Sequence, residues 1–228
     1  MTSARYESSS PKKRRQAARQ TQGGLPGFFL PPLAALFVGL LLALWAGGLS
    51  DSATADAPGA PGGQIAPLFT PEVQFWRADL ARWAAENGLE ANLAATVMQI
   101  ESCGHPEIRS SAGAAGLFQV MPFHFSAGEM LTDPETNARR GLAYLRRSLE
   151  QAAGDARLAF AGYNGGIGVI GQTETFWPAE TSRYAYWASG IYADARQNLA
   201  QSARLNEWLN AGGASLCQKA RLRLRLGQ

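Results

Sequence analysis

The chain has 228 residues, 46% of them apolar, and a formal charge of +3, which is enough apolar material for one sizeable core and too much for a disordered chain. The positive sign is local: Met1 to Gly24 carries six Arg or Lys against one Glu, a net of +5, so the other 204 residues sum to −2. No basic face is left for a nucleic acid, whose binding needs clustered Lys and Arg.

In chain order, residues 1–24 read as a basic leader. From Thr21 to Ser50 there is no charged residue, and Leu33 to Trp45 reads LAALFVGLLLALW. A helix needs about 20 apolar residues to cross a bilayer, so residues 25–49 are expected to form a membrane anchor, with the leader kept in the cytoplasm by the positive-inside bias. The alternative is a cleaved signal sequence, because Pro31 and Pro32 shorten the apolar run and small residues follow it. On either reading the remainder is exported. Residues 50–69, rich in Ala, Pro and Gly without hydrophobic periodicity, read as a linker.

A folded domain is expected over residues 70–212. Its first helix is predicted from TPEVQFWRADLARWAAENG, with Thr70 as cap, Pro71 at the first helical position, apolar Val73, Trp76, Leu80 and Trp83, and Asn87-Gly88 as the stop. A second helix is predicted over Ala91 to Ser102. Its apolar residues Leu93, Val97 and Ile100 mark a buried face, and Glu101, four residues after Val97, lies on that face. Further helices are predicted over Pro134 to Glu150, where Ala138, Leu142, Leu145 and Leu149 share a face, over Asp155 to Tyr163, over Thr181 to Asn198 and over Ala200 to Asn210. Residues 213–228 read as a basic tail; its RLRLRL, Arg221 to Leu226, alternates as a strand does, and the tail is expected to fray or rest on an acidic surface.

Glu101 is the residue with chemical promise. Desolvation raises a carboxyl pKa, and the negative end of the helix dipole acts in the same direction. A Glu held protonated near neutral pH serves as a general acid, although a Glu at a helix end is more commonly a solvated surface group. Beyond it SSAGAAGLFQVMP supplies side chains too small to block a ligand, and Gln119 offers a donor and an acceptor suited to sugar hydroxyls and amides. No metal is expected, because His105 and His124, the two histidines, lack the paired spacing of a zinc site even with Cys103. No other cofactor is implied. Cys103 and Cys217 make an even count in an exported domain, which allows a disulfide, with two free thiols as the alternative.

Taken together, Glu101-Ser102, Pro106, Ser110, Gly113-Ala114, Gly116-Leu117, Gln119 and Met121-Pro122 keep the order and spacing of the lytic transglycosylase catalytic domain of the soluble type, similar in fold to goose-type lysozyme. NARRGLAYL (Asn137 to Leu145), AGYNGG (Ala161 to Gly166) and ETSRY (Glu180 to Tyr184) resemble that family's later motifs in order. The chain departs from the pattern at Gly104, where an aromatic is common, and at Phe123-His124-Phe125, where Thr-Ala commonly follows Met-Pro, so aromatics are expected at one subsite wall. RYAYWASGIY, Arg183 to Tyr192, is read as core material that also offers a stacking face for sugars.

The resemblance implies a mainly α, lysozyme-like α+β fold with a short hairpin or loop region around Ala112 to Gln119. It implies Glu101 and Tyr163 as catalytic, and Ser110, Gln119, Met121, Asn164 and Glu180 as lining the sugar sites. The implied partners are peptidoglycan glycan strands, with the membrane through the N-terminal helix and a cell-wall or secretion apparatus as settings. The implied activity is cleavage of the bond between N-acetylmuramic acid and N-acetylglucosamine with a 1,6-anhydro product. The alternatives are a goose-lysozyme-type hydrolase and an inactive wall-binding module.

Overall fold

The computed structural model describes residues 63–227. The leader, the expected membrane span and most of the expected linker lie outside the described residues. Among those described, no helix is long and apolar enough to cross a membrane. The chain runs through α1 (Pro71–Gln74), α2 (Arg77–Glu86), α3 (Ala91–Glu101), α4 (Pro134–Gln151), α5 (Ala156–Gly165), α6 (Ala179–Arg196), α7 (Ala203–Trp208) and α8 (Ala214–Leu224). The hairpin region is reduced to isolated bridges, Arg109 with Ala115 and Ala115 with Val120.

The centre of the domain is α3, in which every residue from Ala91 to Gln99 except Asn92 is buried. A helix surrounded on all sides must be small and apolar over most of its length, and before its last residue ANLAATVMQIE departs from that only at Asn92, Thr96 and Gln99; of the two buried ones, Thr96 donates to the Asn92 carbonyl at 2.8 Å and Gln99 accepts from the Thr70 N–H at 3.1 Å. Around it Val73, Leu80, Trp83, Leu117, Phe118, Leu142, Leu145, Phe160 and Ile191 form one cluster, each full burial of such a side chain contributing roughly 1.5–3 kcal/mol. α4 and α5 begin where carboxylates can cap them: Asp133 accepts from the Thr136 N–H, and Asp155 from the Leu158 N–H.

The structure differs from the sequence reading in three places. The single first helix is broken at Phe75-Trp76, and Thr70 makes no side-chain cap. The break buries Trp76, whose indole Nε1 donates to the Gly104 carbonyl at 2.9 Å. Second, Ile65, Ala66, Leu68 and Phe69, expected in the linker, are core residues. Third, the tail is no strand and is not frayed: Ala214–Leu224 is helical, with Cys217 and Ala220 buried. Three bonds hold α8 down: the disulfide from Cys103 to Cys217, Arg221 Nε to Glu72 at 2.7 Å, and an ion pair between Arg223 and Glu107. Glu72 is 1% exposed, so its pairing with Arg221 offsets a desolvation cost that would otherwise be several kcal/mol.

The loop between α3 and α4 is tied from beneath by Asn137. Its Oδ1 accepts from the Phe118 N–H at 2.9 Å, and its Nδ2 donates to the carbonyls of Ala115 at 2.7 Å and Leu131 at 2.8 Å. Asn137 is fully buried, so removing its amide leaves the buried Phe118 N–H without its partner and takes one bond from each of two carbonyls, of which Ala115 keeps the Val120 N–H at 3.0 Å. Asn137→Ala is expected to destabilise the domain by about 3 kcal/mol, measured by urea unfolding. A loss below about 1 kcal/mol would show that the loop is held by other means.

Candidate active site

Glu101 is the last residue of α3, and the turn beyond it is fixed on both sides. The Ser102 hydroxyl donates to the Leu117 carbonyl at 2.6 Å and accepts from the Gly104 N–H at 3.1 Å. Cys103 takes a left-handed backbone, φ 50°, and carries the disulfide to Cys217. Gly104 follows at φ 79°, where a Cβ would stand 2.7 Å from the Glu72 carbonyl oxygen. An aromatic at this position has no room, and Trp76 supplies a ring there from α1's side instead.

As a residue Glu101 is only partly covered, but its carboxyl lies deep among side chains. Desolvation pushes its pKa up to about 8, and the negative charge of nearby Glu180 adds to the rise, while Tyr184 acts in the opposite direction by favouring the anion. The Tyr184 hydroxyl is buried and has no hydrogen-bond partner of ordinary geometry among the described residues, so it stands beside the carboxyl with its donor unspent. Tyr163 is held differently. Its hydroxyl donates to the Phe118 carbonyl at 2.7 Å, and burial together with the Glu101 charge drives its pKa well up. Tyr163 therefore remains a neutral phenol whose oxygen is left to accept.

Beside Tyr163 opens a cleft of about 290 Å³ whose lining includes Gln119, Met121, Asn164 and Tyr163. Its floor is Gly141, where a Cβ would lie 2.5 Å from that of Phe118 and 3.2 Å from the Tyr163 hydroxyl. Gln119, itself at φ 45°, donates through Nε2 to the carbonyls of Ile108 at 3.1 Å and Gly116 at 3.0 Å. The Asn164 side-chain oxygen Oδ1 accepts from Thr181 Oγ1 at 2.9 Å. Of the residues expected at sugar sites, these two and Met121 line the cleft. Ser110 and Glu180 do not: Ser110 is exposed, its hydroxyl accepting from the Ala114 N–H at 3.0 Å, and Glu180 reaches the site only through its charge on Glu101.

Packing bears on two further expectations. The stretch from Arg183 to Tyr192 contributes nothing to the cleft lining: Tyr184 and Tyr192 are buried, and Tyr186, 42% exposed, has Arg204 over one face of its ring. Of the three residues after Pro122, Phe123 and His124 line the cleft while Phe125 packs against the core. Glu72, Cys103 and Cys217 place ligand-type atoms within 4.8 Å of one another, but the sulfurs are bonded to each other and the carboxylate is paired with Arg221. Tyr184 and Tyr144 belong to the site although the sequence alone does not single them out. The only signal for Tyr184 is its place at the end of ETSRY, one helical turn after Glu180.

Residues 80–182 match the model of the transglycosylase SLT domain. The transglycosylase of Enterobacteria phage PRD1 is 33% identical over 114 residues, which are 49% of this chain and 40% of that protein. The soluble lytic murein transglycosylase of Escherichia coli K12 is 30% identical over 101 residues, 39% of this chain and 16% of its own. Among solved structures, the X-ray structure of an inactive mutant of the lytic transglycosylase Slt from Pseudomonas aeruginosa aligns at 29% identity with a TM-score of 0.46, over 56% of this chain and 25% of that one. The chain thus spans less than half the length of these proteins, and the segment matched by the family model carries Glu101, the cleft loop and Tyr163. Residues 80–182, somewhat under half of the chain, are similar to the transglycosylase SLT domain.

Proposed function

We propose that this domain is a lytic transglycosylase that cleaves the bond between N-acetylmuramic acid and N-acetylglucosamine in peptidoglycan and leaves a 1,6-anhydromuramyl end. The observation that carries the proposal is a carboxyl kept protonated at neutral pH beside a cleft whose lining contains no carboxylate of its own. Retaining cleavage by two carboxylates needs the second about 5 Å from the first. Here the negative charge that acts on Glu101 belongs to Glu180, which is exposed and outside the cleft lining. A single acid suffices where the substrate supplies the nucleophile, as in substrate-assisted glycosidases.

In this scheme Glu101 gives its proton to the glycosidic oxygen as the C1–O bond breaks, and the muramyl acetamido oxygen closes on C1. The C6 hydroxyl then attacks C1, the acetamido oxygen leaves, and the hydroxyl proton passes to the Glu101 carboxylate, which restores the acid. The intramolecular hydroxyl outcompetes water by effective concentration. Tyr163, anchored on the Phe118 carbonyl, offers its oxygen lone pair to the reacting sugar, and Tyr184, with its donor unspent, steadies the carboxylate between the two proton transfers. Gln119 and Asn164 orient N-acetyl and hydroxyl groups. On the same proposal the chemistry occurs outside the cytoplasm at the membrane face, a setting supported by the basic leader and the uncharged span that precede the domain.

Mass spectrometry of digested peptidoglycan tests the product: anhydromuramyl ends support the proposal, and reducing ends with water added replace it with a hydrolase. Tyr163→Phe is expected to lower turnover by roughly 10- to 1000-fold with little change in thermal stability, the size of effect seen when one transition-state hydrogen bond is lost. An unchanged rate would leave Tyr163 as packing alone.

A further inference from the structure

Four rings stand in a row along the cleft. From the inside outward the ring centroids are separated by 5.6 Å from Tyr163 to Tyr144, by 4.9 Å from Tyr144 to His124 and by 4.4 Å from His124 to Phe123. The inner end is fixed to the reaction centre, since Tyr163 feels the Glu101 charge. The outer end is open to water: Phe123 is 75% exposed, on the short turn Pro122–His124. All four rings belong to the wall of the same cleft. The lining also includes Gly165 and Gly166, which have no side chains to stand off a ligand.

From this row we infer that Phe123, with His124 behind it, forms an outer saccharide subsite that grips the glycan strand beyond the sugars at the bond being cut. The inference rests on the peptidoglycan reading proposed above and adds a residue-level account of how chain length is sensed. A pyranose is about as wide as one phenyl ring, so the sugar nearest Glu101 covers the inner step of the row and leaves the outer rings for the next units. The apolar faces of sugars pack on aromatic rings, which offer broad, stiff contact at low entropic cost. An exposed Phe continuous with a binding cleft marks a contact surface more often than an isolated exposed apolar residue does.

The neighbouring groups agree with a neutral ligand. Burial and the nearby Arg147 charge hold the His124 pKa below its ordinary value, so at neutral pH the ring is uncharged and has one N–H for a sugar hydroxyl. The turn is also rigidly placed. Pro122 fixes its start, the His124 N–H donates to the Met121 carbonyl at 3.0 Å, and Phe125 is packed on the core at its end. A ring on such a support loses little freedom when it is covered, which favours a subsite over a mobile flap. This is also where the chain departs from the Met-Pro-Thr-Ala pattern, so the subsite is a property of this sequence.

The test uses N-acetylglucosamine oligomers from dimer to hexamer, titrated calorimetrically into the full chain carrying Glu101→Gln so that nothing is cut. Affinity is expected to rise with length, and adding Phe123→Ala is expected to remove about 10-fold of it for the longest oligomers, the scale of one lost aromatic contact, while leaving the dimer nearly unaffected. Phe123→Trp should restore or exceed the original gain. Because Phe123 is exposed, thermal melts of all variants should coincide, and a variant that melts lower is replaced by Phe123→Ser in the same comparison. Equal affinities with and without the Phe123 ring at every length would overturn the subsite while leaving the proposed reaction standing. The subsite would fall equally if the ring proved to be covered by a second copy, seen as self-association that Phe123→Ala abolishes with glycan affinity unchanged. Failure of every oligomer to bind, together with no muropeptide release by the unmodified protein, would remove the peptidoglycan reading and the subsite with it.

Discussion

Glu101→Gln is expected to abolish muropeptide release from peptidoglycan and, in the same variant, to flatten the decline of stability as pH rises. The first effect follows from the proposed proton transfers, since an amide of nearly the same shape can neither give a proton to the leaving oxygen nor take one from the C6 hydroxyl. Retention of more than a few per cent of the activity would end the case for Glu101 as the acid. In the unmodified enzyme, kcat/KM should fall as pH passes about 8, where the carboxyl loses its proton in the free protein.

The stability effect has the opposite sign to that of an ordinary paired carboxylate. The folded pKa of Glu101, about 8, lies above the ordinary carboxyl value of 4.5, so between those values the folded state holds a proton that the unfolded state has released. Stability therefore falls across that window as pH rises, and is unaffected by this group below it. With part of the residue near solvent, the accumulated loss is on the order of 3 kcal/mol by the upper end. Glu101→Gln lacks the group, so it should match the parent at the acid end and exceed it at the alkaline end, read by denaturant unfolding at several pH values. A variant that tracks the parent throughout would show that the carboxyl is solvated and its pKa ordinary.

The parts of this fold that are legible in the sequence are those set by local chemistry. Asp133 before Pro134, and Asp155 three residues before Leu158, announce α4 and α5, and the spacing of Ala138, Leu142 and Leu145 marks the buried face that is observed. Glu101 is readable as inward-facing because Val97, one turn earlier, sits on a face that is fully buried. What is not legible depends on partners far along the chain. Nothing in Phe75-Trp76 forbids a helix; the break exists because the indole reaches the Gly104 carbonyl 28 residues later. The alternation of RLRLRL has period two, yet Cys217 and Ala220, three apart, are the buried positions of a helix whose anchor Glu72 lies 149 residues from Arg221. Tyr184 enters the site because α6 packs on α3, and the row from Tyr163 to Phe123 because α4 and α5 carry Tyr144 and Tyr163 beneath the loop. Periodicity reports which face of an element is buried. It does not report which other element covers that face.

Removing the disulfide, by Cys103→Ala with Cys217→Ala or by reduction, is expected to lower the stability of the domain by about 4 kcal/mol. The bridge joins residues 114 apart in sequence with Cα atoms 5.0 Å apart, and in the chain-entropy model a closed loop of that length restricts the unfolded ensemble by roughly 4 to 5 kcal/mol, less where the unfolded chain keeps residual structure. For a domain of this size that corresponds to a fall of roughly 10 °C in Tm. The rest of the α8 attachment cannot replace it. Arg223 and Glu107 are both about half exposed, and such a pair contributes modestly in water, while the pairing of Arg221 with buried Glu72 chiefly offsets that carboxylate's own desolvation. The consequence extends to the site, because Cys103 is two residues beyond Glu101 and the bridge fixes the left-handed turn that ends α3. Gln99, one turn earlier, donates to the Cys103 sulfur at 3.1 Å and so belongs to the same support. Loss of the bridge should therefore lower kcat at temperatures well below the new Tm, as the carboxyl is aimed less narrowly, while KM for glycan strands, set by the cleft beyond Gly141, changes less. Alkylation of both thiols in the native protein, or a double variant that unfolds with the parent's Tm, would show that the two helices are held together without the bond.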